Sequence, residues 1–194
     1  MIMQFVLASA SPRRKELLAE LVNEFEIIPS LADENVAYTS PENLVLQLAE
    51  RKASEVALRP ENEGKIVIGS DTVVAFEEKV LGKPKDKADA FRMLKMLSGK
   101  PHAVFTGVCF AVKKGEKLSL TTRAEKTAVY FEDLSDEWIR AYIASGSPMD
   151  KAGAYGIQDG GLVKKIEGSY TNVVGFPIEL VQEMMTTIRE NCND

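Results

Sequence analysis

Arg13, Arg14 and Lys15 follow the small-residue run Ser9-Ala10-Ser11-Pro12, and their charge is at odds with the local structure the sequence implies. Ser11 is a good N-cap residue and Pro12 suits the first helical position. Leu17, Leu18 and Leu21 then recur at helical spacing. Three cations thus crowd the first turn of a helix, the partly positive end of its macrodipole, where positive charge is disfavoured. On stability alone acids belong there. Free backbone N–H groups, small residues that let a ligand approach, and two guanidinium forks together describe a phosphate site. The plainer alternative is a basic helix start that is simply solvated.

Other candidates lie far along the chain. Lys65 to Phe76 is the most apolar strand signal, and Ile66-Val67-Ile68 is a continuous run of the kind found in a central strand covered on both faces. Asp71 breaks it, followed by Thr72. A carboxylate is costly to bury unpaired. Asp71 therefore either caps a neighbouring loop or works with a metal ion or a reacting water. Lys52 falls on the apolar face of a predicted helix, four residues after Leu48 and four before Val56. It either snorkels to the rim or points its ammonium into a site. Lys83, in the turn Gly82-Lys83-Pro84, reads as a surface lysine, and Asp33 and Glu34 as part of a solvated polar turn. Gln158 carries a donor and an acceptor side by side, which suits a base edge. His102, the only histidine, reads as a hydrogen-bonded structural residue.

The elements that must position these residues alternate between strand and helix, an α/β pattern. Phe5 to Leu7 ends a buried strand, and Phe25 to Pro29 is a short one. A helix capped by Ser40 runs to about Leu58, with Leu44, Val45, Leu48, Ala49, Ala53 and Val56 on its apolar face. The Asp71 strand turns back through a tip at Glu77-Glu78-Lys79, and a helix follows from Asp86 to Leu97, ended by Ser98-Gly99. Ala103 to Val112 is a strand with Gly107 as a bulge, and Leu118 to Tyr130 an antiparallel, half-exposed one. Ser135 caps another helix. The small-residue run from Ser147 to Gln158 is either a plain loop or a place where backbone presses on a ligand. After a strand from Leu162 to Ile166, Gly168 to Gly175 turns into a last helix at Pro177, which buries Ile178, Val181, Met184, Met185 and Ile188.

The whole chain narrows the options. Its 194 residues suit one domain spanning residues 1–194, with 45% hydrophobic and 27% charged residues, ordinary for a water-soluble fold. A net charge of −5 argues against a nucleic-acid polymer as partner, so local cations are better matched to a small anionic ligand. Cys109 and Cys192 lack metal-ligand spacing and read as free thiols in a reducing cytoplasm. The first residues are too short and uncharged for a signal peptide, and no apolar run reaches membrane-spanning length. A P-loop is absent, since Gly82-Lys83 is followed by Pro84, and no nucleophile elbow accompanies His102.

Taken in order, the stretches Ser9 to Arg14, Ser70-Asp71-Thr72-Val73, Gly82-Lys83-Pro84, Ser98-Gly99 with His102 and Thr106-Gly107-Val108, Ser145-Gly146, Asp150 to Gln158, Ile166 to Ser169 and Asn172 to Gly175 resemble the Maf family of nucleotide pyrophosphatases. The resemblance covers nearly the whole chain. It implies a long twisted mixed β-sheet with flanking helices, two lobes around a central cleft, and a homodimer. It also implies hydrolysis of a nucleoside triphosphate to the monophosphate and pyrophosphate with Mg²⁺ or Mn²⁺. The form Ala154-Tyr155-Gly156-Ile157-Gln158 is similar to the branch acting on dTTP, UTP and some modified pyrimidine nucleotides. That branch matches at Arg13, Thr72 and Gln158 for specificity and at Asp71 as proton acceptor. Ser147 stands where Glu is usual in the family and Asp159 where Gly is common. Joined to residue chemistry, the resemblance implies Arg13, Arg14, Lys52 and Lys83 as the positive charge, N–H groups around Ser9 and Ser11 as a phosphate cradle, and Asp71 with Glu34 as metal ligands. A second reading is a non-enzymatic nucleotide-binding regulator of cell division or septum formation, which would keep the cations without needing Asp71.

Overall fold

The computed structural model describes residues 3–77 and 79–191. Expectations for the first two residues, for Glu78 at the hairpin tip and for Cys192 lie outside the described residues. In chain order the elements are β1 (Phe5–Leu7), α1 (Pro12–Ala19), β2 (Glu26–Ile27), α2 (Pro41–Ala57), β3 (Ile66–Phe76), β4 (Lys79–Leu81) and α3 (Lys87–Leu97). Then come β5 (Pro101–Lys114), β6 (Lys117–Phe131), α4 (Asp136–Ala144), β7 (Val163–Glu167), α5 (Tyr170–Val174) and α6 (Ile178–Asn191). One seven-stranded mixed sheet joins them in the order β2-β1-β3-β5-β6-β7, with β4 also on β3. The β1 strand is parallel to β2 and β3, and the remaining pairs are antiparallel.

The register of β3 creates the cleft. Along one edge β5 pairs with it continuously from Val67 to Ala75. On the other edge β1 covers only Ile66 to Ile68, and β4 only Val74 to Phe76. Between them, among the described residues, the edge from Gly69 to Val73 has no strand partner. Asp71 and Thr72 sit in that opening. The chain leaving the carboxyl end of β1 turns here into α1, the place where open α/β sheets bind ligands. Two apolar clusters flank the gap. One packs α1 and α6 on β1 and the start of β3 around Leu18, Ile68, Phe110 and Met184. The other packs α3 and α4 on the far part of the sheet around Leu94, Leu97, Phe131 and Ile139.

A third cluster, Ala49, Ala53, Val56, Val67, Cys109 and Ala111, holds α2 against the sheet, and small residues set its height. A Cβ at Gly69 would lie 2.6 Å from the Ala53 nitrogen and would overlap the Ala49 carbonyl. A Cβ at Gly107 would overlap the Val45 carbonyl. The expected bulge at Gly107 is therefore corrected: Gly107 pairs in register with Asp71 on one side and Ala124 on the other. Its missing side chain instead makes room for the α2 backbone. The register shift in this sheet falls at Tyr130/Phe131. The segment from Gly168 to Gly175 is also more than a turn, because Ser169 accepts from Asn172 N–H and starts the short α5. Its few residues gave too little periodicity to read.

Gly107→Ala is expected to cost about 1–3 kcal/mol by overpacking. That corresponds to a melting-temperature drop of about 2–4 °C per kcal/mol for a chain of this size. A thermal melt unchanged within a degree would show that α2 does not rest on the sheet in this way.

Candidate active site

The opening in β3 forms the floor of a cavity of about 880 Å³. Ser9, Arg13, Arg14, Glu34, Lys52, Asp71, Thr72, Lys83 and Gln158 all line it. Residues from one end of the chain to the other are thus brought to one place by the sheet register.

Lys52 does not snorkel. The close approach of Ala49 and Ala53 to Gly69 drops the intervening turn of α2 over β3, two residues from Asp71. The Lys52 ammonium lies 2.6 Å from Asp71 Oδ1 and 2.8 Å from Glu34 Oε1. Lys52 and Asp71 are 15% and 14% exposed, so this pair is largely withdrawn from water, whereas Glu34 at 64% reaches in from the solvent side. Its neighbour Asp33 is turned away: Asp33 Oδ1 accepts from Asn35 N–H at 3.0 Å. Arg51 Nη1 donates to the carbonyls of Asp33 and Asn35 at 3.1 and 2.9 Å, which ties the loop carrying Glu34 to α2.

Arg14 is placed differently from the expectation of a free fork. Its Nε donates to Gly175 O at 3.0 Å, Nη1 to Ser70 O at 2.8 Å and Ser9 Oγ at 3.4 Å, and Nη2 to Thr72 Oγ1 at 3.2 Å. The Ser70 carbonyl lies on the stretch of β3 left open between β1 and β4, so the guanidinium takes the place of a strand partner there. Burial pulls its pKa below the ordinary arginine value, and Asp71 works against that shift. Arg14 is therefore a fixed positive charge in the cleft wall with most of its five donors committed to the protein. Thr72 is likewise built into the wall: its hydroxyl also meets Thr106 Oγ1 at 3.0 Å and Gly175 O at 3.3 Å.

At the start of α1, Ser11 has the extended backbone of an N-cap residue, but its hydroxyl makes no capping bond. Its N–H donates instead to Ser9 Oγ at 3.2 Å. This corrects the expected cap and leaves the first-turn N–H groups facing the cleft without a side-chain acceptor from Ser11. Arg13 Nη1 contacts Asp150 Oδ2 at 3.1 Å across the mouth, so an arginine of one lobe meets an acid of the other. Lys83 is exposed at the rim beside Gly82, whose carbonyl accepts from Gly153 N–H at 3.0 Å. Gln158 is exposed on the opposite wall, in a short turn from Ile157 to Asp159.

Sequence reasoning gave no role to Asp150, Lys151 or Tyr155, which also line the cavity. Their signal was present in the unusually small-residue run around them. His102 is the structural residue expected: its Nε2 lies 2.8 Å from Tyr155 Oη, and burial lowers its pKa to about 4. The two positions that depart from the family pattern meet each other, Ser147 Oγ donating to Asp159 Oδ2 at 2.7 Å.

Asp71 and Glu34 are a donor set suited to one kind of ion. Among the described residues no cluster of three or more His, Cys, Asp or Glu side chains gathers, which leaves no closed protein cage. Mg²⁺ is usually held by one or two carboxylates, with water and substrate phosphates completing its shell. Two carboxylates already converging on one cation fit that arrangement.

Comparison with known proteins agrees with this architecture. The chain is 53% identical over 176 residues to the dTTP/UTP pyrophosphatase of Geotalea uraniireducens (strain Rf4), covering 89% of each chain. It is 51% identical over 181 residues to the dTTP/UTP pyrophosphatase of Thermococcus onnurineus (strain NA1), covering 92% of this chain and 95% of that one. Among solved structures, the Staphylococcus aureus Ham1 protein aligns over 95% of this chain and 98% of its own with a TM-score of 0.54 at 14% identity, a likeness of fold alone. No helix among the described residues is long and apolar enough to cross a membrane. The model of the Maf-like protein family matches residues 4–188, and the chain belongs to that family.

Proposed function

We propose that this chain is a nucleoside triphosphate pyrophosphatase that hydrolyses dTTP and UTP to the monophosphate and pyrophosphate. The observation that carries the reading is the Asp71–Lys52–Glu34 contact on the floor of a cleft whose walls hold Arg13, Arg14 and Lys83. A triphosphate brings about four negative charges, and little besides positioning and charge stabilisation is needed to cleave it. The names of the relatives above supply the substrate.

In this reading the N–H groups around Ser9 and Ser11 cradle phosphate oxygens. Arg13 exchanges Asp150 for phosphate, and Lys83 closes on the phosphates from the rim. Arg14 contributes a fixed charge from the wall. Lys52 leaves the two carboxylates for the incoming phosphates, which frees Asp71 Oδ1 to accept the proton of the water attacking the α-phosphorus. Mg²⁺ or Mn²⁺, held by Asp71 and Glu34, would neutralise phosphate charge and acidify water. Thr72 and Gln158 border the base, Thr72 as part of a rigid wall and Gln158 with a free amide edge. A cytoplasmic homodimer acting on free nucleotides completes the proposal.

A panel of canonical and modified nucleoside triphosphates, assayed with Mg²⁺ and with Mn²⁺, tests it. Release of pyrophosphate from dTTP and UTP, at least about tenfold faster in kcat/KM than from CTP or purine nucleotides, is expected. Orthophosphate as the product, or no turnover with either metal, would overturn it and favour a binding-only role.

A further inference from the structure

The turn that carries Gln158 is held by a polar clasp centred on Tyr142 and Asp159. Asp159 Oδ2 accepts from Tyr142 Oη at 2.5 Å and from Ser147 Oγ at 2.7 Å. The same Tyr142 hydroxyl oxygen accepts from Gly156 N–H at 3.1 Å. One phenol therefore grips the turn at both its first and its last residue, and the turn closes on itself through Asp159 N–H to Gly156 O at 3.1 Å. Lys151 Nζ completes the clasp, donating to Ser147 O at 2.5 Å and Ser147 Oγ at 3.1 Å. Both hydroxyls converge on one oxygen of the Asp159 side chain. Partial burial works against ionisation, but the Tyr142 and Ser147 hydroxyls hold the Asp159 carboxyl below its usual range.

The clasp is anchored to rigid structure. Tyr142 stands on α4, whose N-terminus is capped by Ser135 and whose other face buries Ile139 and Ile143 in the core. There is no slack inside the turn: a Cβ at Gly156 would lie 2.8 Å from Lys151 Cε and 3.0 Å from Asp159 Oδ2. Ile157 and Gln158, between the two gripped residues, both line the cleft. Losing either hydroxyl contact frees one end of the turn and lets the Gln158 backbone shift. The clasp meets the phosphate half at one point, where Lys151 Nζ also donates to Asp150 Oδ1 at 2.9 Å and Asp150 Oδ2 pairs with Arg13; Tyr142, Ser147 and Asp159 themselves share no hydrogen bond with Arg13, Arg14 or Lys52.

We propose that Asp159 is a positioning residue which, through the hydroxyls of Tyr142 and Ser147, fixes the Gly156–Asp159 turn so that Gln158 meets the nucleobase, setting the choice of base and not the rate of bond cleavage. The inference rests on the reading above that Gln158 borders the base. Its test uses Asp159→Ala, Tyr142→Phe and the isosteric Asp159→Asn, whose amide oxygen can still accept both hydroxyls. For each, kcat and KM are measured with UTP, dTTP and CTP, together with the inhibition constant of inorganic tripolyphosphate, which probes the phosphate half alone.

Asp159→Ala and Tyr142→Phe are expected to raise KM for UTP and dTTP and to shrink the UTP-over-CTP preference in kcat/KM by about tenfold, with kcat changed less than about threefold. Tripolyphosphate inhibition should stay as in the wild type, and Asp159→Asn should restore most of the preference. An intact UTP-over-CTP preference in both Asp159→Ala and Tyr142→Phe would overturn the inference. So would equal losses in kcat and in tripolyphosphate binding, the mark of a general folding defect. A wild-type enzyme with no preference for these pyrimidines would instead sink the substrate reading on which the inference stands.

Discussion

Asp71→Asn is expected to lower kcat for UTP by about 10²–10⁴-fold, the contribution of a positioned general base. Its melting temperature should stay close to that of the wild type. The amide keeps an oxygen able to accept from Lys52, so the contact at 2.6 Å is preserved in form and the β3–β5 pairing at Gly107 is untouched. What disappears is the negative charge and the capacity to take a proton. Steady-state pyrophosphate release and a thermal melt of the same preparation decide it. Turnover within tenfold of the wild type would remove Asp71 from the role of base.

Lys52→Gln carries the second large effect, and in two directions. With the ammonium gone, kcat/KM should fall by about 10²–10³-fold, comparable to removing one preorganised donor from a site of developing charge. The substitution also leaves Asp71 and Glu34 facing each other without the cation that now sits 2.6 and 2.8 Å from them. An uncompensated Asp71 carboxylate withdrawn from water is destabilising, so a divalent ion has more to gain by binding there. The nucleotide-free variant should therefore bind Mn²⁺ several-fold more tightly than the wild type, read by the loss of the free-ion electron paramagnetic resonance signal. Mn²⁺ should also raise its melting temperature more. Unchanged or weaker Mn²⁺ binding would show that Lys52 does not compete for the metal's ligands.

These effects trace back to features of unequal visibility in the sequence. The apolar run Ile66-Val67-Ile68 and the misfit of Asp71 in the strand that continues it were enough to place a central strand with a break. The break is what becomes the unpaired edge between β1 and β4. The helix caps at Ser40 and Ser135 were legible because each hydroxyl accepts from an N–H three residues on, a purely local contact. Lys52 could be placed on a face but not aimed, since its direction depends on how closely α2 approaches Gly69 and Gly107. Gly107 reads as a bulge for the same reason: absence of a side chain in a strand looks alike whether it permits a bulge or a neighbouring helix. Arg14 was legible as a cation and illegible as a wall residue, because the carbonyls of Ser70 and Gly175 that hold it come from distant segments. The clasp of Tyr142, Ser147 and Asp159 had only a faint trace, two departures from a family pattern that gave no hint they would touch.

The most direct test of the account follows the oxygen of the attacking water. Hydrolysis of UTP in H₂¹⁸O should place the label in UMP and leave pyrophosphate unlabelled, because in the proposed reading the water at Asp71 attacks the α-phosphorus. Label in pyrophosphate or in orthophosphate would mean attack at another phosphorus, and the roles given to Asp71, Lys52 and Glu34 would not survive it.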